Sequence, residues 1–435
     1  MLAEHKTAFS FPLKHATEIE PGKLAGPTGQ LCGNRRAEEQ LLLLCVRARA
    51  DAIPAARIEA LLTGDLDWDY IVRKTRQHRI TPLVCRTLEA INSAGVPRRV
   101  FTHLQTHVHE NARFNLFRTG ELIRILRLLA DAGVSAVPFK GPVLSMVAYG
   151  SLAQREYGDL DILVRTSDVS RTRDLLLAHG YHLVASRKTG QTKSEFMPRN
   201  KDLIFEDETR SVRIELHWRL TGKHFNYPVD LNGLWDRLET IRLAGVMVPT
   251  LGLEDLLLYL CMHGSRHGWE RLIWVCDVAE LIRVGRNIRW QRVIEQAALL
   301  GSERMLGLAL LLAQRLLGSE LPKEIQLIIQ TDEQLPSLAA QLHESLFRER
   351  AESQDIAYWY DVHLRVRERV RDRLRLRIHY YRRYLRLVVV PNERDQAMLE
   401  LPSGFSFLYY LLRPFRLLRR FGLPRLKQIG TSRDT

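Results

Sequence analysis

The chain has 435 residues and a formal net charge of +14, with 46% hydrophobic and 26% charged residues. This is ordinary globular composition, which excludes a disordered or collagen-like chain and allows two or three domains with a sizeable buried core. Five cysteines (Cys32, Cys45, Cys85, Cys261 and Cys276) are odd in number and form no CxxC pair. They argue against a disulfide framework or a zinc ribbon, and for a reducing cytoplasm.

The start of the chain has no apolar stretch of signal-peptide length, and no apolar run is long enough to span a bilayer. The positive charge attracts nucleic acid, anionic lipid or phosphorylated small molecules. Because the excess is partly concentrated near the C-terminus, it reads as a local patch, and nucleic acid is not the favoured partner.

Residues 1–35 lack periodicity and read as a flexible leader. Residues 36–132 are a helical region, in the segments EEQLLLLCVRARA, AARIEALLTG and DWDYIVRKTRQHRITPLVCRTLEAI. A long amphipathic stretch follows and stops at Gly133. Residues 133–255 change period. VSAVPFKG reads as a strand, and PVLSMVAYG as a helix with Pro142 at its first turn. DLDILV is a second strand. SDVSRTRDLLLAHG is a helix with a Ser N-cap and a Gly stop, and YHLVAS is a further strand. KDLIFEDE and SVRIELHWRL form a hairpin. Residues 256–350 return to helical spacing, and 351–435 are basic and amphipathic. The expected class is α+β, a small mixed-sheet core between helical regions.

Asp159 and Asp161 are two apart, so a strand places both carboxylates on one face and Leu160 and Ile162 on the other. Two adjacent acids repel, and a cation between them relieves the repulsion. In SVRIELHWRL, Glu215 and His217 share one face with Arg213 and Arg219. Glu215 therefore joins the aspartates from a neighbouring strand. Three oxygen ligands with open positions suit Mg²⁺. Upstream, the strand ending at Lys140 breaks at Gly141 and opens a helix, whose amides can hold a phosphate with Lys140 adding charge. The plain alternative is a strand-to-helix turn beside solvated acids.

The stretch FKGPVLSMVAYGSLAQREYGDLDILV resembles the KG…Y…R…DxD pattern of the uncharacterised nucleotidyltransferase family, a branch of the polymerase-beta-like nucleotidyltransferase superfamily. IELHW, LLYLCMHGSRHGWERLIWVCDVAEL, ERDQAMLELP and FLYYLLRPFRLLRR resemble it too, so the likeness spans about 36–425. The resemblance implies a nucleotidyltransferase core in which Asp159, Asp161 and Glu215 bind two Mg²⁺ ions. It implies a nucleoside triphosphate donor, an unidentified hydroxyl acceptor (small molecule, glycan or protein) and a bacterial source. Most of the superfamily uses a Gly-Ser pair before the DxD. Here Lys140-Gly141 is followed by Pro142, and Gly150-Ser151 is the other candidate; Lys140-Gly141 is preferred because it ends a strand. A domain that has lost turnover and only binds or senses nucleotides is the alternative.

Other residues carry two readings. His263 and His267 lie four apart on a helix; a zinc site would want a third ligand and, for a protease, HExxH in place of HGSRH, so with Arg271 they either face the site and touch phosphate or acceptor, or form a polar helix face. His217 either acts at the site, in proton transfer or by supporting a metal-bound carboxylate, or sits exposed at a strand end. Arg155 either contacts phosphate or lies in solvent. Residues 362–386 hold ten arginines and read as one basic amphipathic helix. That helix either packs on its own domain or makes peripheral contact with an anionic membrane.

Overall fold

The computed structural model describes residues 36–47, 55–91, 95–184, 202–207, 212–221, 231–348, 355–391, 408–410 and 412–413. The leader 1–35 and most of the ERDQAMLELP and FLYYLLRPFRLLRR segments lie outside the described residues. The chain divides into two compact units, the described parts of which fall within Leu31–Phe347 and Arg348–Thr435.

The larger unit opens with α1 (Ala37–Arg47), α2 (Ala55–Leu62), α3 (Trp68–His78), α4 (Thr81–Ala90) and the 34-residue α5 (Arg98–Asp131). The run DWDYIVRKTRQHRITPLVCRTLEAI is thus two helices rather than one. α3 ends at Arg79, which takes a left-handed conformation (φ 55°, ψ 41°), and α4 restarts with Pro82 in its first turn.

The α+β core follows as β1 (Ala136–Pro138), α6 (Pro142–Tyr149), β2 (Leu160–Val164), α7 (Val169–Ala178), β3 (His182–Leu183), β4 (Asp202–Asp207) and β5 (Val212–His217). A 3₁₀ turn, Thr166–Asp168, precedes α7, so Ser167 lies inside that turn and is not the N-cap. The sheet order is β1-β2-β5-β4-β3, with β2 and β5 parallel and the other pairs antiparallel. Alternation then divides the sheet. Leu160, Ile162, Val164, Ile214 and Leu216 enter one apolar core with Leu122, Ile125 and Leu129 of α5. Asp161, Glu215 and His217 are left for the opposite face.

A two-stranded hairpin absent from the sequence reading comes next, after α8 (Leu231–Trp235): β6 (Glu239–Leu243) and β7 (Val246–Thr250). Its two-residue turn, Ala244 and Gly245, has positive φ at both positions, the geometry that matches strand twist.

The unit closes with α9 (Leu253–Arg266), α10 (Leu272–Val284), α11 (Trp290–Leu300), α12 (Glu303–Leu317), α13 (Lys323–Thr331) and α14 (Gln334–Phe347). The α9–α10 reversal is built by the sequence HGSRHGW. Gly268 and Trp269 both have positive φ, and the indole of Trp269 folds back over Gly264, where any Cβ would come within 2.4 Å of the ring. The smaller unit contains α15 (Asp355–Arg365) and α16 (Val370–Val389). The stretch read as one basic helix is therefore broken between Arg365 and Val370. No helix among the described residues is long and apolar enough to cross a membrane.

Candidate active site

The site forms where the parallel strands β2 and β5 run side by side. Asp161 pairs in register with Glu215, and β1 returns against β2 so that the Phe139 amide meets the Asp161 carbonyl. The carboxylates of Asp161 and Glu215 and the imidazole of His217 offer ligand atoms that all lie within 4.8 Å of one another. His217 Nε2 is 3.1 Å from Asp161 Oδ1 and 3.5 Å from Glu215 Oε2. Lys140, at the end of the β1 segment, places Nζ 2.6 Å from the same Asp161 Oδ1.

The electrostatics follow from this crowding. Burial alone would raise the Asp161 carboxyl, but Lys140 and His217 outweigh it and hold the group well below its usual range. Burial alone would likewise lower the Lys140 ammonium, but Asp161 keeps it firmly protonated. His217 lowers the Glu215 carboxyl. Asp159 behaves oppositely: burial, and then the charge of Asp161, push its carboxyl up. It stands at the mouth of β2, half-buried, within electrostatic reach of Asp161, Glu215, Lys140 and Arg79 but outside the tightest cluster.

Gly141 fixes the entry to α6. Its φ of 55° and ψ of −125° belong to glycine, and an added Cβ would lie 3.2 Å from the Asp159 carbonyl oxygen. Gly150, in contrast, is the left-handed C-cap of α6, and Ser151 continues from that cap.

The loop 151–158 that delivers Asp159 is gripped from two sides. On α5, Asn115 Nδ2 donates to the carbonyls of Leu152 and Arg155, both at 2.8 Å. Asn111 and Arg118, one turn away on either side, donate to Ala153 and Tyr157. From the other side, Arg155 Nε and Nη2 reach Asp277 of α10 at 2.8 and 2.9 Å, and Tyr149 donates to the same carboxylate. Asp277 is fully buried and Arg155 nearly so. The structure therefore puts Arg155 into the scaffold, engaged with an acid.

His263 and His267 join the site through a ladder of rings. Phe139 packs edge-on against both His217 and Tyr259, with centroids 5.3 and 5.0 Å apart. Tyr259 continues to His263, and His263 to His267, while Trp274 closes on both imidazoles and carries Arg271 over its face. Lys140 Nζ lies 6.0 Å from the Tyr259 ring. Burial pushes the Tyr259 phenol up to about 12.

Sequence reasoning missed Tyr259, although it falls four residues before His263 on the same helical face. It also missed Arg79. The backbone amide of Leu272 donates to His78 Nδ1 at 3.3 Å, which brings the end of α3 to the start of α10. Arg79 there is lowered first by burial and then by the charges of Arg271 and Arg155, while Asp159 pulls the other way, and its guanidinium remains a cation.

The residues present fit a hard divalent cation. The donor set is oxygen-rich, and Asp161 Oδ2 is a buried oxygen with no hydrogen-bond partner. A profile of an uncharacterised nucleotidyltransferase family matches residues 64–318, more than half of the chain. The protein belongs to this family. The match opens just before α3 and closes at the end of α12, so it includes α3, the sheet, α9 and α10. No curated protein matches the chain. Membership carries a nucleotidyl-transfer role in general, for which triphosphate and divalent metal are typical.

Proposed function

We propose that this nucleotidyltransferase moves a nucleoside monophosphate from an NTP to a hydroxyl on a small molecule, glycan or protein, with Mg²⁺ as the cation. The observation that carries this reading is the in-register pairing of Asp161 with Glu215, together with the buried, unpartnered Oδ2 of Asp161. Two ions would be held by Asp159, Asp161 and Glu215. The chemistry that bound divalent ions supply is neutralisation of the triphosphate and acidification of the acceptor hydroxyl.

The chain's own groups divide the remaining work. His217 orients both carboxylates through one nitrogen, a supporting role common beside metal ligands. Lys140 is the first candidate to neutralise phosphate, aided by the amides opening α6 beyond Gly141. Arg79 and Arg271 approach from the helical side. Arg155 positions the loop instead of touching substrate, and His263 and His267 line the approach behind Tyr259. A cytoplasmic setting agrees with the free, buried state of Cys45, Cys85, Cys261 and Cys276.

One observation favours a second reading. Lys140 sits on Asp161 where a cation would sit, which suits a domain that binds nucleotides without turnover. Incubation with α-labelled NTPs, Mg²⁺ and a panel of hydroxyl acceptors separates the two. Label transfer with pyrophosphate release, lost in D161N, supports the enzyme. Triphosphate binding with no pyrophosphate release from any acceptor supports the sensor.

A further inference from the structure

α16 has two unlike sides. Its Leu376 is buried, and His363 of α15 meets Tyr380 while Tyr360 packs on the same ring, so this side faces its own unit. The other side is an uncovered apolar stripe: Val370 (72% exposed), Leu374 (56%), Ile378 (43%), Tyr381 (56%), Leu385 (41%) and Val389 (42%). At about 100° per residue these six positions fall within an arc of roughly 100°. Val362 and Val366, which continue the same spacing upstream, are fully buried. The break before Val370 thus turns one apolar periodicity into a core segment and an exposed one.

Arginines border the stripe on both sides. On the same wheel, Arg371, Arg375 and Arg382 fall along one rim and Arg373 and Arg377 along the other. Arg371, Arg375, Arg377 and Arg382 are exposed. Asp372, the acid of α16, falls on the opposite side and is 3.8 Å from Arg375. We propose that α16 is an interfacial helix that docks this protein on an anionic lipid surface, its apolar stripe in the acyl boundary and its arginines among the headgroups.

Charge decides the occupant. Two copies pairing through this stripe would bring arginine against arginine along both rims, with no acid to answer. A nucleic acid would leave the apolar stripe in water. An anionic bilayer takes both features, because arginine stems lie along the apolar layer while their heads reach phosphate.

The test is co-sedimentation of the full-length protein with vesicles of phosphatidylcholine alone and of phosphatidylcholine mixed with phosphatidylglycerol. The expected result is binding to the mixed vesicles that falls as salt rises, with little binding to the neutral ones. L374E/I378E lowers it at least about tenfold by removing apolar burial. R371A/R382A, which leaves the stripe and the pairing with α15 untouched, lowers it roughly twenty-five-fold, about fivefold per arginine. Unchanged far-ultraviolet dichroism shows that both variants keep their helices. Failure of the wild type to sediment with anionic vesicles overturns the proposal. So does full binding by L374E/I378E, or a lipid-free dimer that L374E/I378E dissolves.

Discussion

Lys140 Nζ and Asp161 Oδ1 stand 2.6 Å apart, and Asp161 is almost completely buried. The ammonium compensates a carboxylate that a divalent ion would otherwise share, so cation and lysine report on each other. Removal of one partner of a buried pair costs about 3–5 kcal/mol. Lys140→Met is therefore expected to lower the melting temperature in chelator, with Mg²⁺ restoring part of the loss. The gain in melting temperature on adding Mg²⁺ should be larger in the variant than in the wild type. Equal gains would show that Asp161 does not see the ion.

Gly141 is the hinge between the Lys140 strand and α6. A methyl group at this position meets the Asp159 carbonyl and forces a positive φ on alanine. Gly141→Ala is expected to cost about 1–3 kcal/mol in urea denaturation. Because the contact is with Asp159, triphosphate affinity should fall along with stability.

Arg79 separates stability from binding. It is a non-glycine residue in the left-handed region, with a half-buried guanidinium directed into the field of Asp159. Arg79→Gly relieves the backbone conformation, so the melting temperature should hold or rise. Triphosphate affinity should fall about tenfold through loss of one charge-assisted phosphate contact. Arg271→Ala should show the same loss of affinity. A drop in stability without any loss of affinity would assign Arg79 to the scaffold.

Arg155 is the contrasting case. Its ion pair with Asp277 is buried and shared with Tyr149. Arg155→Met leaves a buried carboxylate uncompensated and should cost about 3–5 kcal/mol in urea denaturation. Any loss of nucleotide binding should be recovered in part when the protein is held well below its melting temperature.

His107 supplies a pH test away from the carboxylate cluster. Its Nε2 is 3.4 Å from Glu156 Oε1, and that acid raises the imidazole above its ordinary 6.5. A raised histidine stabilises the fold fully below that ordinary value, and the contribution is lost as pH rises through the folded one. The partly exposed pair is worth at most about 1 kcal/mol. Urea midpoints should fall between slightly acid and slightly alkaline pH, and His107→Gln should flatten that slope.

The period-two alternation of DLDILV and SVRIELHWRL was enough to put Asp161 and Glu215 on the faces away from the core, because a strand that buries Leu160 and Ile214 must turn its acids the other way, whereas the parallel pairing that sets them side by side is seen only in the fold. Pro142 and the Gly133 stop were equally readable. Arg155 was not, because its partner Asp277 lies 122 residues away and only tertiary packing joins them. Arg79 was hidden by a helical pattern that continues across the α3–α4 break, where Pro82 was the sole signal. The β6–β7 hairpin was missed because its turn is Ala-Gly, a weak form of the usual Asn-Gly. The break between α15 and α16 contains neither glycine nor proline, and burial of Val362 and Val366 but not Val370 marks it only in three dimensions.

On the proposed function, the carboxylate cluster holds a metal-bound triphosphate. Titration calorimetry with ATP, GTP, CTP and UTP, with and without Mg²⁺, on the wild type and on Asp159→Ala/Asp161→Ala tests it most directly. Binding of at least one triphosphate is expected, requiring Mg²⁺ and disappearing in the folded double variant. Absence of binding by well-folded wild type, or undiminished binding by the double variant, would contradict it.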